Sequence, residues 1–200
     1  MSDSIVKPAT AKGQRRRQEI VEGAAAILLE QGPRGVSHRA VADRVGCSLS
    51  ATTYYFSGLD DLLSEAGRVN IARWASRAER AAEDAEANPV PDTEHDRIEA
   101  VLAATLPTDE ELLGHYLQLV AAGGSPPVRR AYRTGRDRLN AAVSRVLRRL
   151  EIPWSAEMII AVVDGASVSA LSEGRDVRET AAGRLRELLD CSTRNQVGGR

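Results

Sequence analysis

Two hundred residues, 42% hydrophobic and 28% charged, describe an ordinary globular chain with room for one or two cores rather than a disordered one. The longest apolar runs are six residues, 24–29 and 158–163, far below the roughly 18 a membrane helix needs, so no membrane partner is expected. The net charge of −1 hides a gradient: residues 1–57 carry eight basic against five acidic side chains, whereas 79–99 carry eight acids against two arginines. Local sign, not the total, decides what a surface attracts.

Two cysteines, Cys47 and Cys191, make no disulfide framework, and the N-terminus has no apolar stretch flanked by a cleavage site as a secretory signal would, so a reducing cytoplasm is the simplest home. Strand signals are almost absent. There is one Phe, no alternating β-branched run, and alanine and leucine recur at helical spacing, which predicts an all-α chain of about nine helices.

Residues 1–13, polar and containing Pro8 and Gly13, read as a flexible arm. A first helix is expected from about Gln14 to Gln31, stopped by Gly32-Pro33. Ser37 reads as the N-cap of a second helix that Gly46 ends, and Ser48 as the N-cap of a third, from Leu49 to about Phe56. A long fourth helix runs from Leu59 to about Ala87, where Asn88-Pro89-Val90-Pro91 breaks it. Thr93 opens a helix to about Leu106, and Thr108 with Glu111 reads as a capping box for one to about Ala122. Further helices cover about 128–150, 156–172 and 177–189, and 192–200 reads as a polar tail. The expected units are 14–60 and 61–191, the second with its own core.

The segment Val36 to Leu63 encodes two short capped helices joined at Gly46-Cys47-Ser48, a helix-turn-helix in which Cys47 fills the angle as a small hydrophobe. The second of these helices is crowded with Ser50, Thr52, Thr53, Tyr54 and Tyr55. A helix tuned for surface stability would use Glu, Lys and Ala; hydroxyls and phenols instead bond phosphate oxygens or base edges. Ser37, Val41-Ala42, Gly46-Cys47-Ser48, Tyr55-Phe56 and Leu62-Leu63 fall at the spacing of the TetR family of bacterial regulators, which this chain resembles. Two positions depart from that pattern: Thr53 stands where the family has a tyrosine, and Leu59 where it has a phosphate-binding lysine.

The resemblance implies an N-terminal DNA-binding unit and a C-terminal unit for ligand binding and dimerisation. It places Ser48, Leu49, Ser50, Thr53, Tyr54 and Tyr55 on the DNA face, Ser37, His38 and Arg39 at the backbone or a base, and Lys12, Arg15, Arg16 and Arg17 beside the groove. With Leu59 unable to bind phosphate, the helix N-termini and the arginines of the first helix are the expected substitutes. His38 reads equally well as an indifferent surface residue. The partners implied are double-stranded operator DNA, a second copy of the chain and an unidentified small-molecule effector. No cofactor or metal is expected.

For the effector, Trp74 is the expected aromatic wall, with His115, Tyr116, Gln118, Leu119, Tyr132, Arg136, Asn140 and Asp164 as liners and an internal Arg136–Asp164 ion pair as one arrangement. For the dimer, small residues interleaved with Ile159, Val163, Ala166 and Ala170, and the stripe Leu185, Leu188 and Leu189, predict a close helix-helix interface. The arginine-rich stretch 129–149 reads as a solvated face pairing with the acidic segment 79–99, or else as a site for an anionic effector or more DNA. The expected function is a ligand-responsive repressor. The alternatives are a dimeric binding protein whose DNA contact is weakened at Leu49, Thr53 and Leu59, and a small helical enzyme. The three histidines, His38, His95 and His115, have no metal-pair spacing, and no glycine-rich phosphate loop follows a strand.

Overall fold

The structure is a computed structural model and describes residues 10–197. These fold into nine α-helices with no strand among the described residues: α1 (Ala11–Gln31), α2 (His38–Val45), α3 (Leu49–Tyr55), α4 (Leu59–Ala87), α5 (Glu94–Thr105), α6 (Leu112–Ala121), α7 (Pro126–Arg149), α8 (Ala156–Glu173) and α9 (Val177–Val197). Short hydroxyl side chains set five of the starts. Ser37, Ser48, Thr93 and Ser155 accept from the amides of Ala40, Ala51, Asp96 and Met158 at 3.1–3.2 Å, each pairing one of the donors a helix start leaves free.

Thr10 does the same for Gly13, so α1 begins three residues before the expected Gln14 and takes in Lys12. Of the expected arm, residues 1–9 lie outside the described residues. At the other end α9 continues through most of the expected polar tail, because no glycine or proline interrupts the sequence between Gly183 and Gly198; residues 198–200 lie outside the described residues. The capping box at Thr108 does not form. Residues 108–111 make a turn in which the Glu111 amide donates to the Thr108 carbonyl, α6 starts at Leu112, and the Glu111 carboxylate lies 3.7 Å from Arg77 instead.

Helix α4 is the axis of the molecule, 29 residues long and about 43 Å at the α-helical rise. Its buried stripe of Leu62, Leu63, Ala66, Ile71, Ala75, Ala78 and Ala82 meets α1 near its start and α7 along most of its length. Helices α8 and α9 pair beside α5 and α7. One hydrophobic cluster runs from Ile20, Leu28 and Val41 through Leu62 and Leu102 to Ile159 and Leu185, so the first three helices and the six after them share a continuous core. That continuity puts a change around α4 and α6 in direct mechanical contact with α1.

The arginines of α7 close onto the acidic end of α4. Arg138 grips Glu79 (2.6 and 2.5 Å), Arg145 grips Glu86 (2.9 and 2.6 Å), and Arg149 donates to the carbonyls of Ala85 and Asn88. Each exposed pair adds little stability by itself. Together they occupy one face of the basic stretch with intramolecular partners.

Candidate nucleic-acid face and small-molecule cavity

Helix α2 lies directly on α1, because Gly23 has no side chain: a Cβ there would sit 2.3 Å from Val45 Cγ1. The Arg44 guanidinium clamps the far side, donating to both oxygens of Glu30 at 2.7 and 2.6 Å. Between α2 and α3, Gly46 takes the left-handed conformation (φ 65°, ψ 44°) that glycine adopts without strain. Cys47 is half-buried and packs against the core, as its small apolar character suggested. This corner presents α3 outward.

The outer face of α3 holds Leu49, Ser50, Thr53 and Tyr54, all exposed, with Tyr54 82% and Leu49 51% accessible. Thr52 points inward, fully buried, its hydroxyl donating to the Leu49 carbonyl. Thr53 donates to the carbonyls of Leu49 and Ser50, leaving its methyl and lone pairs to the outside. Ser37 and Ser48 are exposed but engaged as caps. His38 is half-buried with Nδ1 unpaired, and Arg39, Lys12 and Arg15 are exposed. Arg16 pairs with Glu19 at 2.9 Å.

Three expectations change here. Arg17 does not flank a groove: its guanidinium stacks 5.0 Å over the Phe56 ring and reaches Glu65 at 3.5 Å, bracing α1 against α4. Tyr55 is half-buried against the core, its ring edge-on to Tyr54 at 5.1 Å, and it supports the exposed tyrosine rather than joining it. The N-terminus of α4 offers no substitute for the missing lysine, because Asp60 and Asp61 fill its first turn and Asp61 accepts from the Ser57 amide and hydroxyl. A phosphate there would meet two carboxylates.

Between α1, α4 and α6 lies a cavity of about 260 Å³ lined by Leu29, Asn70, Trp74, Arg77, His115 and Gln118, with Arg73, Arg80, Thr108 and Glu111 at its mouth. Trp74, Arg77 and His115 separate it from a recess of about 20 Å³ that reaches Leu119, Arg136 and Asp164. The indole of Trp74 packs against His115 at 4.3 Å and Tyr132 at 5.0 Å, with their rings tilted to it by 57° and 54°. A buried hydrogen-bond chain backs the cavity. The Tyr132 hydroxyl and Asn70 Nδ2 both donate to Gln118 Oε1 at 2.8 Å, and Asn70 Nδ2 also donates to the Ala25 carbonyl of α1 at 3.0 Å. Gln118 Nε2, His115 Nδ1 and Arg77 Nε are left without partners.

Burial together with the Arg77 and Arg136 charges pushes His115 down to about 3, so it is neutral at any physiological pH. Burial raises Asp164 to about 6 against the pull of Arg136. The expected Arg136–Asp164 ion pair does not close, since no contact within 4.0 Å joins them among the described residues, although both line the recess. Tyr116 lies off the cavity, its hydroxyl beside Asp164 and Ser167 without closing a hydrogen bond. Asn140 is also outside: it donates to Glu157 at the start of α8, because it sits a quarter-turn round α7 from Leu139, which does face the recess. The arginines of α4 and Asn70 went unnoticed in the sequence, although Asn70, Arg73, Trp74, Arg77 and Arg80 repeat at helical spacing.

On α8 and α9, Ile159, Val163, Ala170 and Leu185 are sealed inside the subunit and cannot meet a second copy. Helix α8 is apolar on nearly every side, so periodicity left its orientation open. The outward side carries Ala161, Gly165, Met158 and Val168, and a groove between α8 and α9 is floored by Ala161, Val162, Gly165, Ala166 and Leu188. Of the expected interface residues, Ala166 and Leu188 border this groove, and Leu189 is half-buried.

A family model described as "Tetracyclin repressor-like, C-terminal domain" matches residues 89–191. The HTH-type transcriptional regulator PksA of Bacillus subtilis (strain 168) is 41% identical over 51 residues, which are 26% of this chain and about a quarter (25%) of that protein. Among solved structures, the multidrug binding protein EbrR complexed with proflavin is 28% identical, with a TM-score of 0.61 over 86% of this chain and 99% of that one. A putative TetR-family transcriptional regulator from Mesorhizobium loti MAFF303099 has the same fold, with a TM-score of 0.65 over 89% of this chain and 96% of that one at 16% identity.

Proposed function

The chain belongs to the TetR family of transcriptional regulators, and from that premise we propose that it is a cytoplasmic, homodimeric repressor released from a palindromic operator by a small-molecule effector. The operator-reading face is the outer side of α3, with Leu49, Ser50, Thr53 and Tyr54 toward base edges and Ser37, Arg39, Lys12 and Arg15 toward phosphates. With Leu59 in place of a cation and Asp60 and Asp61 behind it, phosphate attraction rests on those three basic side chains and Arg16. Two α3 helices spaced one DNA turn apart require a two-fold partner, and the open α8–α9 groove with its small residues suits close helix approach.

The observation that carries the effector response is Asn70. Its amide joins Gln118 in the cavity wall to the Ala25 carbonyl of α1, the helix on which α2 and α3 are built. A ligand that recruits Gln118 competes for that chain and shifts α1 relative to α4. Differential contact of this kind is what an effector needs to change operator affinity. EbrR complexed with proflavin supports a cavity that takes small molecules.

The test is fluorescence anisotropy on palindromes from the DNA upstream of the gene, repeated over a salt series. Arg39→Ala is expected to weaken binding and lower the salt slope by about one, and Tyr54→Ala to weaken it with no change of slope. Operator binding that survives both substitutions intact removes this face from consideration.

A further inference from the structure

The cavity between α1, α4 and α6 has a chemical bias, and we infer that its occupant is a small organic anion, a carboxylate carried on a flat ring. The inference rests on reading this cavity as the effector site. Arg73 and Arg80 at its mouth and Arg77 in its wall stand at i, i+7 and i+4 on one face of α4, and the recess behind adds Arg136. Opposite them stand only Glu111 at the mouth and Asp164 in the recess. Glu22 already engages Arg73. Glu111 reaches Arg77 at 3.7 Å, too far for a charge-assisted hydrogen bond. Arg80 and Arg136 have no carboxylate within 4.0 Å among the described residues.

The unpartnered atoms give a second, independent indication. Gln118 Nε2 and Arg77 Nε are buried, line the cavity and have no acceptor. Both can only donate. Gln118 is fully buried, and Arg77 is half-buried with its Nε shielded from solvent, so water does not satisfy them freely. A carboxylate supplies the acceptors that both donors lack; a cation supplies none and adds a like charge. Burial already holds the Arg77 guanidinium below its ordinary pKa, which a bound anion would reverse. The remaining wall is aromatic and aliphatic, built from Trp74, His115 and Leu29, with the two rings tilted 57° to each other. A neutral His115 leaves that wall uncharged. At about 260 Å³ the space falls just below the range of drug-sized sites, which suits one ring and a short acid arm.

The experiment uses the full chain and isothermal titration with matched probes: benzoate, phenylacetate and cinnamate, their primary amides, and the cation proflavin. At least one carboxylate is expected to bind about tenfold to a hundredfold more tightly than its amide, the difference a charge-assisted pair supplies. Arg77→Gln should abolish that preference. Arg80→Gln, at the exposed mouth where folding is not at stake, should reduce it several-fold, with thermal unfolding run on both variants. Equal affinity for acid and amide, tighter binding of proflavin, or no binding of any carboxylate overturns the inference. Operator release is measured separately by anisotropy. A carboxylate that binds through Arg77 without loosening DNA upholds the ligand class and removes the cavity's effector role, so the two readings fail by different results.

Discussion

Asp164 is half-buried on α8 beside the recess, and replacing it with Asn tests whether desolvation or the Arg136 charge controls it. Burial raises its pKa from 3.8 to about 6, with the Arg136 charge pulling the other way. The folded state therefore holds this proton more tightly than the unfolded chain. The sign follows: stability is greatest below the unfolded value, falls as pH rises from about 4 to about 6, and stays low above it. A rise from 3.8 to about 6 corresponds to at most about 3 kcal/mol at 1.36 kcal/mol per pH unit. Asp164→Asn keeps the size and an acceptor toward Tyr116 but never ionises. It should match the parent near pH 4 and exceed it by up to about 3 kcal/mol near pH 7.5, a Tm gain of roughly 6–12 °C for a chain of this length. Thermal unfolding across that range, at one chain concentration because a dimer's Tm depends on it, reads the difference. A variant less stable than the parent near pH 7.5 refutes the reasoning, since it would mean that Arg136 stabilises a paired carboxylate more than burial penalises it.

Tyr54→Ala, removing a side chain 82% accessible, should leave unfolding within about 0.5 kcal/mol while operator affinity falls; equal losses in both would make the ring structural. Gly23→Ala should cost about 1–3 kcal/mol by driving a methyl into Val45, and adding Val45→Ala should recover most of it in a double-mutant cycle by urea unfolding. Gln118→Leu leaves the Tyr132 hydroxyl unpaired and Asn70 Nδ2 with only the Ala25 carbonyl; it should cost about 1–3 kcal/mol and blunt effector-driven release in the anisotropy assay. Gly165→Glu faces open space in the subunit, so its circular dichroism should be unchanged while sedimentation shows weaker self-association. A Gly165→Glu chain that dimerises as the parent does places the partner elsewhere.

Much of the helix-turn-helix corner, like the helix starts elsewhere, is legible in the sequence because the causes are local. A cap needs a hydroxyl and an amide three residues on, and Ser37, Ser48, Thr93 and Ser155 each have both. Gly46 can be placed at its turn because few other residues tolerate that backbone conformation. The exposed polar face of α3 follows from the same short range. The capping box at Thr108 shows the limit: Glu111 has a competing partner in Arg77, 34 positions earlier in the chain, which local pattern does not register.

The capped helices and the turn of the helix-turn-helix in residues 15–56 were thus legible in the sequence, but not that Thr52 points inward and Tyr55 packs half-buried against the core. Tertiary structure decided the rest. It turned Arg17 inward onto Phe56 and Glu65, and it left Tyr55 half-buried beneath Tyr54. It gathered Arg73, Arg77 and Arg80 with Gln118 around one cavity, and it chose which side of the nearly uniformly apolar α8 faces the core. A cap or a turn is selected by neighbours within one helical turn, whereas a cavity and a buried face are selected by which distant helices pack together. Those choices depend on the summed shape of the whole core.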